Sequence, residues 1–345
     1  MLSNIQALRF FAAFAVVLFH SRKLFSELGL QGDVFLYWAQ FGSAGVDVFF
    51  VISGYVMWLT TCNSPRSVAA SGDFLRRRLF RIYLGYWPFY FLAAVVTLTM
   101  TGRNPENIYW LDSFFLLNPT IRNQVLGVAW TLSYELYFYV MFAAMILLPR
   151  SYHQKLLLVL FAGIVVVNAM TDTHSFSYGF FINYYLIEFF AGCLLAAYLG
   201  RNRSRLLLVL CSVMVVVMIN YAVTLPRFHM NRIQGFGVAS MLIVLAAVLL
   251  ENTRAYTASR WLVFLGNCSY SLYLGHFILL WVFMYLVKQL QPEVGTVMAA
   301  LLYLSYPAAA VGLSIVSYRY MEAPLYKYAL RNWVHRKAPC AGLER

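Results

Sequence analysis

Acidic residues are scarce in this 345-residue chain, with 13 Asp and Glu against 26 Lys and Arg. Charged residues of both signs make up only 11% of it, less than half the share of about 25% found in soluble domains. With 62% of residues hydrophobic and 18% aromatic, too few ionic groups remain to keep a folded surface in water, which excludes an ordinary soluble protein. Paired cysteines are missing too. Cys62, Cys193, Cys211, Cys268 and Cys340 follow no paired spacing, and four of them lie in or beside apolar stretches. Neither a disulfide framework nor a zinc site is indicated, and no metal is expected. There is no low-complexity linker, internal repeat or appended soluble domain.

Long apolar windows are what the sequence does have. They fall near 5–24, 42–62, 83–101, 130–149, 156–171, 183–200, 206–223, 234–250, 268–287 and 295–318, each close to the length that crosses a hydrocarbon core. The expected fold is an all-α, polytopic transmembrane bundle of about ten helices. The first window is interrupted by Arg9 and followed by His20-Ser21-Arg22-Lys23 without a small-residue cleavage site, so it reads as a retained helix and not as a signal peptide.

Placing the N-terminus in the cytoplasm puts Arg66, Arg76, Arg77, Arg78, Arg81, Arg150, Lys155, Arg201, Arg203, Arg205, Arg254, Arg260, Arg319 and the basic tail inside. Arg22, Lys23, Arg103, Arg122, Arg227, Arg232 and Lys288 fall outside, and Arg9 stays in the membrane. This bias predicts cytoplasmic termini, with residues 1–325 as the membrane domain and 326–345 as a basic cytoplasmic tail. The net charge of +13 is then a topology signal directed at membrane lipid. No nucleic-acid partner is expected.

Arg9 and His20 are out of place in a lipid-facing helix. Eleven steps of about 100° return the two to within roughly 20° of one face, about 16 Å apart along the axis. Ionisable groups at membrane depth are costly unless they line a cavity or find partners, which makes this stripe a functional candidate. The plainer alternative is that the two residues mark opposite ends of the helix.

Counting residues from helix centres places His20, Asp47 and Glu135 at a similar height toward the outer surface, with Glu188 and His276 nearer the middle. A neutral imidazole beside a carboxylate takes a proton from a hydroxyl and holds the resulting charge, which is general-base chemistry. The competing role for Asp47, Glu135, Glu188 and His276 is structural, as caps or hydrogen-bond partners tying helices together. Gly42 to Tyr55 mixes small and aromatic residues, suited to close helix approach, and Ser53 offers a hydrogen bond inside the bundle. The run Phe74-Leu75-Arg76-Arg77-Arg78-Leu79-Phe80-Arg81 supplies guanidinium forks at the inner face. Arg78 and Arg81, three apart, suit bidentate phosphate binding, with lipid anchoring as the competing role.

Together these segments resemble the membrane acyltransferase-3 family, in particular its stand-alone exopolysaccharide O-acetyltransferases. The resemblance is carried in order by Arg9 with His20, Gly45-Val46-Asp47-Val48-Phe49-Phe50-Val51-Ile52-Ser53-Gly54-Tyr55, Arg77-Arg78-Leu79-Phe80-Arg81-Ile82, Trp130-Thr131-Leu132-Ser133-Tyr134-Glu135, Ser269-Tyr270-Ser271-Leu272-Tyr273-Leu274-Gly275-His276 and Glu322-Ala323-Pro324. It implies an enzyme of the bacterial inner membrane. Such an enzyme takes an acyl group, usually acetyl, from cytoplasmic acyl-CoA and places it on a hydroxyl of an extracytoplasmic or lipid-linked carbohydrate.

The resemblance makes His20 the catalytic histidine, and the heights counted above make Asp47 or Glu135 the carboxylate expected to orient it. Arg9, Ser53, Arg78 and Arg81 stand on the acetyl-CoA side of the site, and Arg77 is a further candidate. Ser53, Tyr55, Trp130 and Tyr134 are candidate donors to an oxyanion, and Glu188 and His276 complete the set. Two departures stand out. The family's Pro-x-Tyr-Trp pattern reads Leu84-Gly85-Tyr86-Trp87 here. Many relatives also carry a fused extracytoplasmic domain, so acceptor choice is expected to rest on the bundle, its loops or a partner. Both direct transfer and an acyl-histidine intermediate fit the residues. The alternative class is a transporter or flippase for a lipid-linked sugar or small solute, using the same buried groups as a relay.

Overall fold

The computed structural model describes residues 2–27, 37, 39–117, 123–170, 180–224, 232–290 and 296–337. Arg122, Arg227, Cys340 and Arg345, assigned above to loops and tail, lie outside the described residues. Among the described residues all regular structure is helical.

The first membrane helix, α1 (Ser3–Glu27), is followed by α2 (Ala44–Thr61), entered through a 3₁₀ turn at Gln40–Ser43. Helix α3 (Val68–Met100) has 33 residues, about 50 Å at 1.5 Å per residue. That exceeds the hydrocarbon thickness of about 30 Å, so one end, carrying Arg76, Arg77 and Arg78, projects beyond it. The Ser67 hydroxyl caps this end by accepting from the Ala70 N–H at 3.0 Å. A short α4 (Trp110–Phe115) precedes α5 (Trp130–Ile146), α6 (Arg150–Met170), α7 (Tyr185–Tyr198) and α8 (Arg205–Thr224). A π turn at Ile233–Gly237 opens α9 (Val238–Asn252), and α10 (Arg260–Asn267) leads into α11 (Ser269–Leu290). The chain continues through α12 (Thr296–Ser317) and a second π turn at Tyr318–Glu322 into α13 (Ala323–Lys337).

Each of the ten apolar windows coincides with one of these helices. Seven helices among the described residues are long and apolar enough to cross a membrane. Helix α7, with 14 residues, rises only about 21 Å and falls short by itself. The domain boundary expected at 325/326 lies inside the continuous helix α13.

Helix α1 runs through the middle, against α2, α9, α10, α11 and α12. Its first turn is held from outside the helix. The Ser3 and Asn4 N–H groups donate to the two Glu251 carboxylate oxygens at 3.0 and 2.8 Å, so a carboxylate from the end of α9 meets donors that α1 cannot satisfy itself. The Asn4 side chain adds bonds to the carbonyls of Ala247 and Tyr256 and accepts from the Ala258 N–H. Helices α6 and α8, by contrast, leave Val159, Val166, Leu206, Val209 and Val216 exposed on the perimeter, as lipid-facing helices do.

The crossing of α2 and α7 is backbone on backbone. A Cβ on Gly54 would sit 1.8 Å from the Phe189 carbonyl oxygen, and one on Gly192 would sit 2.0 Å from that of Val51. Small residues permit such approach between membrane helices. Gly54→Val is therefore expected to destabilise the purified protein by about 3 kcal/mol or more, because no flexible side chain stands in the way to yield. Thermal unfolding checks this, and a melting temperature equal to that of the wild type would contradict the crossing.

Candidate functional site

Helices α1, α2, α3, α5 and α11 enclose a cavity with an empty volume of about 1000 Å³ including its mouth. Arg78 and Arg81 from α3, Arg9 from α1, and Glu135 and Tyr139 from α5 supply its charged and polar wall. Phe49, Ser53, Thr131 and Tyr273 extend the lining along the bundle. Three guanidiniums thus stand on one lining between aromatic walls, with Glu135 beside them.

Local structure sets each arginine. Arg78 lies on the half-exposed part of α3, donates to the Thr60 hydroxyl at 2.9 Å, and sits over the rings of Phe74 and Tyr139. Arg81, one turn on, pairs with Glu322 at 2.8 Å and stacks against Tyr270 and Tyr326. Glu322 ends the second π turn and also accepts from the Ser271 hydroxyl at 2.6 Å, which joins α3, α11 and the approach to α13. Arg9 donates to the Gln6 side chain at 3.3 Å, and its charged neighbours are Arg81, Glu135 and Glu322. Gln6 in turn bonds Asn267. Arg77 is exposed and does not line the cavity.

Beyond Tyr273 lies a pair of histidines. Tyr273 donates to the Val128 carbonyl at 3.0 Å and accepts from Thr131 at 3.2 Å, and its ring centre is 6.1 Å from that of His276. His276 Nε2 stands 3.1 Å from His20 Nδ1. His276 Nδ1 is 3.0 Å from the Leu272 carbonyl oxygen, and His20 Nδ1 is 3.1 Å from that of Val16. Both rings pack against Phe277.

The three groups placed at one height by counting do not converge. Asp47 is fully buried and its carboxylate is taken by Arg232, whose Nε lies 3.0 Å from Oδ1 and whose second nitrogen meets Oδ2. Glu188, also fully buried, completes this cluster. Glu135 instead joins the arginine wall and accepts from the Tyr139 hydroxyl. Counting fixes height along an axis but not the direction a side chain faces, and these side chains face different neighbours. His276 is thus the side chain brought to His20.

Among the candidate oxyanion donors, Ser53 lines the cavity, whereas Trp130 and Tyr134 belong to an aromatic cluster around Tyr185. Tyr55 is buried, and its backbone lies in the α2–α7 crossing. Arg232 was missed as a site residue because, read alone, it was one more outer-loop charge. A Cβ on Gly237 would come within 3.0 Å of Glu188 Oε1. Tyr273, Tyr270 and Ser269, all on the lining, were visible only as parts of a motif. Among the described residues no group of three or more His, Cys, Asp or Glu side chains is placed to hold a metal ion.

The protein is thus an integral membrane bundle with a cavity walled by arginines and a histidine pair beyond it. The acyltransferase-3 family, described as an acyltransferase domain, matches residues 2–319, and the chain belongs to that family. Family membership places it among acyl-transfer enzymes. It is 28% identical over 254 residues to the exopolysaccharide production protein ExoZ of Rhizobium meliloti, covering 68% of this chain and 75% of that protein. It is 25% identical over 371 residues to the O-acetyltransferase OatA of Staphylococcus aureus, covering 94% and 57%, and 24% identical over 385 residues to the peptidoglycan O-acetyltransferase OatA of Listeria monocytogenes, covering 96% and 56%. The chain therefore spans little more than half the length of the two O-acetyltransferases. No solved structure matches it.

Proposed function

We propose that the protein moves an acyl group, acetyl in the first instance, from cytoplasmic acyl-CoA to a hydroxyl of an extracytoplasmic or lipid-linked carbohydrate at the bacterial inner membrane. One observation carries this reading: the cavity joins the arginines of α3 to Tyr273, beside the His276–His20 pair. Arg78, Arg81 and Arg9 suit the phosphates of the donor, and the aromatic lining suits an extended apolar arm leading toward the histidines. His20 takes the proton of the acceptor hydroxyl as its oxygen attacks the thioester carbonyl, the carbon–sulfur bond breaks, and the proton passes to the departing thiolate. The names of the similar proteins, an exopolysaccharide production protein and peptidoglycan O-acetyltransferase, support a carbohydrate acceptor.

Incubating the purified protein with labelled acetyl-CoA and purified glycans, followed by mass spectrometry, tests this function. An acetyl ester on a glycan is expected, and label found solely as free acetate would contradict it. Replacing Arg78 and Arg81 together by lysine keeps the charge but removes the forks. Donor affinity is expected to fall at least tenfold, measured by calorimetry in detergent, and unchanged affinity would reduce the pair to lipid anchors. The charge bias further supports an orientation with both termini in the cytoplasm. Reporter fusions after Gly102 and after Arg345 are then expected on opposite faces, and both on one face would overturn this orientation.

A further inference from the structure

We infer that His276 is the positioning residue for His20: it holds the His20 proton on Nδ1 and so leaves Nε2 as the basic atom. This inference rests on the reading of His20 as the base. A backbone carbonyl only accepts, so His276 Nδ1, 3.0 Å from the Leu272 oxygen, carries the hydrogen of that ring. In the neutral imidazole the other nitrogen then holds a lone pair. His276 Nε2 is therefore an acceptor, and the atom facing it at 3.1 Å is His20 Nδ1.

The second neighbour of His20 Nδ1 enforces the same assignment. The Val16 carbonyl oxygen, at 3.1 Å, would repel a lone pair there and attracts a hydrogen. Two acceptors thus converge on one nitrogen from α1 and α11, and the proton can sit on His20 Nδ1 without conflict. The chain of donors runs from His20 through His276 to a helix carbonyl, with no carboxylate in it.

The scaffold keeps His276 rigid. It is fully buried, its own carbonyl accepts from the buried Tyr306 hydroxyl at 3.1 Å, and Phe277 packs on both rings. Elsewhere a carboxylate commonly orients the catalytic imidazole, and loss of the correct tautomer at such a site is severe. A neutral histidine in that place supplies direction and tautomer without adding a negative charge.

The test compares three substitutions at position 276, each measured for acetyl-CoA affinity and for transfer. His276→Gln sets a side-chain oxygen near the former Nε2 and preserves an acceptor. His276→Leu has none, and His276→Asn is too short to reach. Donor affinity is expected to stay within about threefold of wild type in all three. Turnover is expected to fall about 100-fold in the Leu and Asn proteins, and the Gln protein is expected to keep at least tenfold more turnover than either.

Turnover equally low in Gln, Leu and Asn would assign His276 a proton-carrying role and overturn the inference, as would turnover near wild type in all three. Should the Leu protein fail to fold, the Asn protein carries the comparison. An independent readout is nitrogen-15 NMR of histidine-labelled wild-type protein, with His20 assigned by its absence in His20→Ala. A hydrogen on Nδ1 and none on Nε2 is expected, and the reverse would refute the assignment. If His20→Ala itself retains transfer, the base assignment fails whatever happens at position 276.

Discussion

Replacing His20 by alanine is expected to lower acetyl transfer by two orders of magnitude or more while leaving acetyl-CoA binding near normal. General-base contributions are typically 10²–10⁴-fold, and the groups proposed to bind the donor, Arg78, Arg81 and Arg9, stand on the cavity lining and not on the histidine pair. The change should therefore appear in turnover and not in donor affinity. His20→Gln separates hydrogen bonding from proton transfer, since glutamine occupies similar space but takes up no proton. It is expected to be nearly as inactive as alanine. A folded His20→Ala protein transferring at close to the wild-type rate would remove His20 from the chemistry. Acetyl trapped on His20 in the wild type would instead favour the two-step route.

The second large effect concerns stability. Arg232 is the guanidinium that meets the buried Asp47 carboxylate, and Glu188 stands beside them. Its side chain is 11% exposed and that of Asp47 is 0% exposed, so water cannot replace the pairing. Arg232→Met leaves the buried Asp47 carboxylate, with Glu188 beside it, without its cation and is expected to cost about 3–5 kcal/mol, the range for breaking a buried pair from one side. Asp47→Asn is expected to cost less, because Glu188 still faces the arginine. Combining the two removes both charges of the pair but still leaves buried Glu188 without its cation, so only part of the lost stability is expected to return. Thermal unfolding of the four proteins measures the cycle. Additive losses would mean that the two residues act independently.

The class of fold was legible in the sequence for a simple physical reason. Hydrocarbon thickness sets the length of an apolar run and solvation excludes charge from it, so ten windows could be drawn, each of which coincides with a helix. The arginine side of the cavity was legible too, because Arg78 and Arg81 share a helical face by spacing alone. Pairings between distant helices were not. That Asp47 meets Arg232, 185 positions away, depends on the rotation of α2 and on the π turn at Ile233–Gly237. A π turn shifts every following side chain around the axis and leaves no plain mark in hydropathy. The second π turn, Tyr318–Glu322, likewise aims Glu322 at Arg81 and Ser271. His276 was visible as a histidine in an apolar run. Its choice of His20 as neighbour follows from the contact of α1 with α11, which spacing does not encode.

Transfer across a sealed bilayer tests the central claim most directly. Acetyl-CoA labelled in its acetyl group is placed outside proteoliposomes that enclose the oligosaccharide acceptor. A donor site at one face and an acceptor hydroxyl reached from the other are expected to give labelled ester on the enclosed acceptor, and none when His20 is alanine. Label on acceptor solely when it shares a compartment with acetyl-CoA would contradict transfer through the bundle.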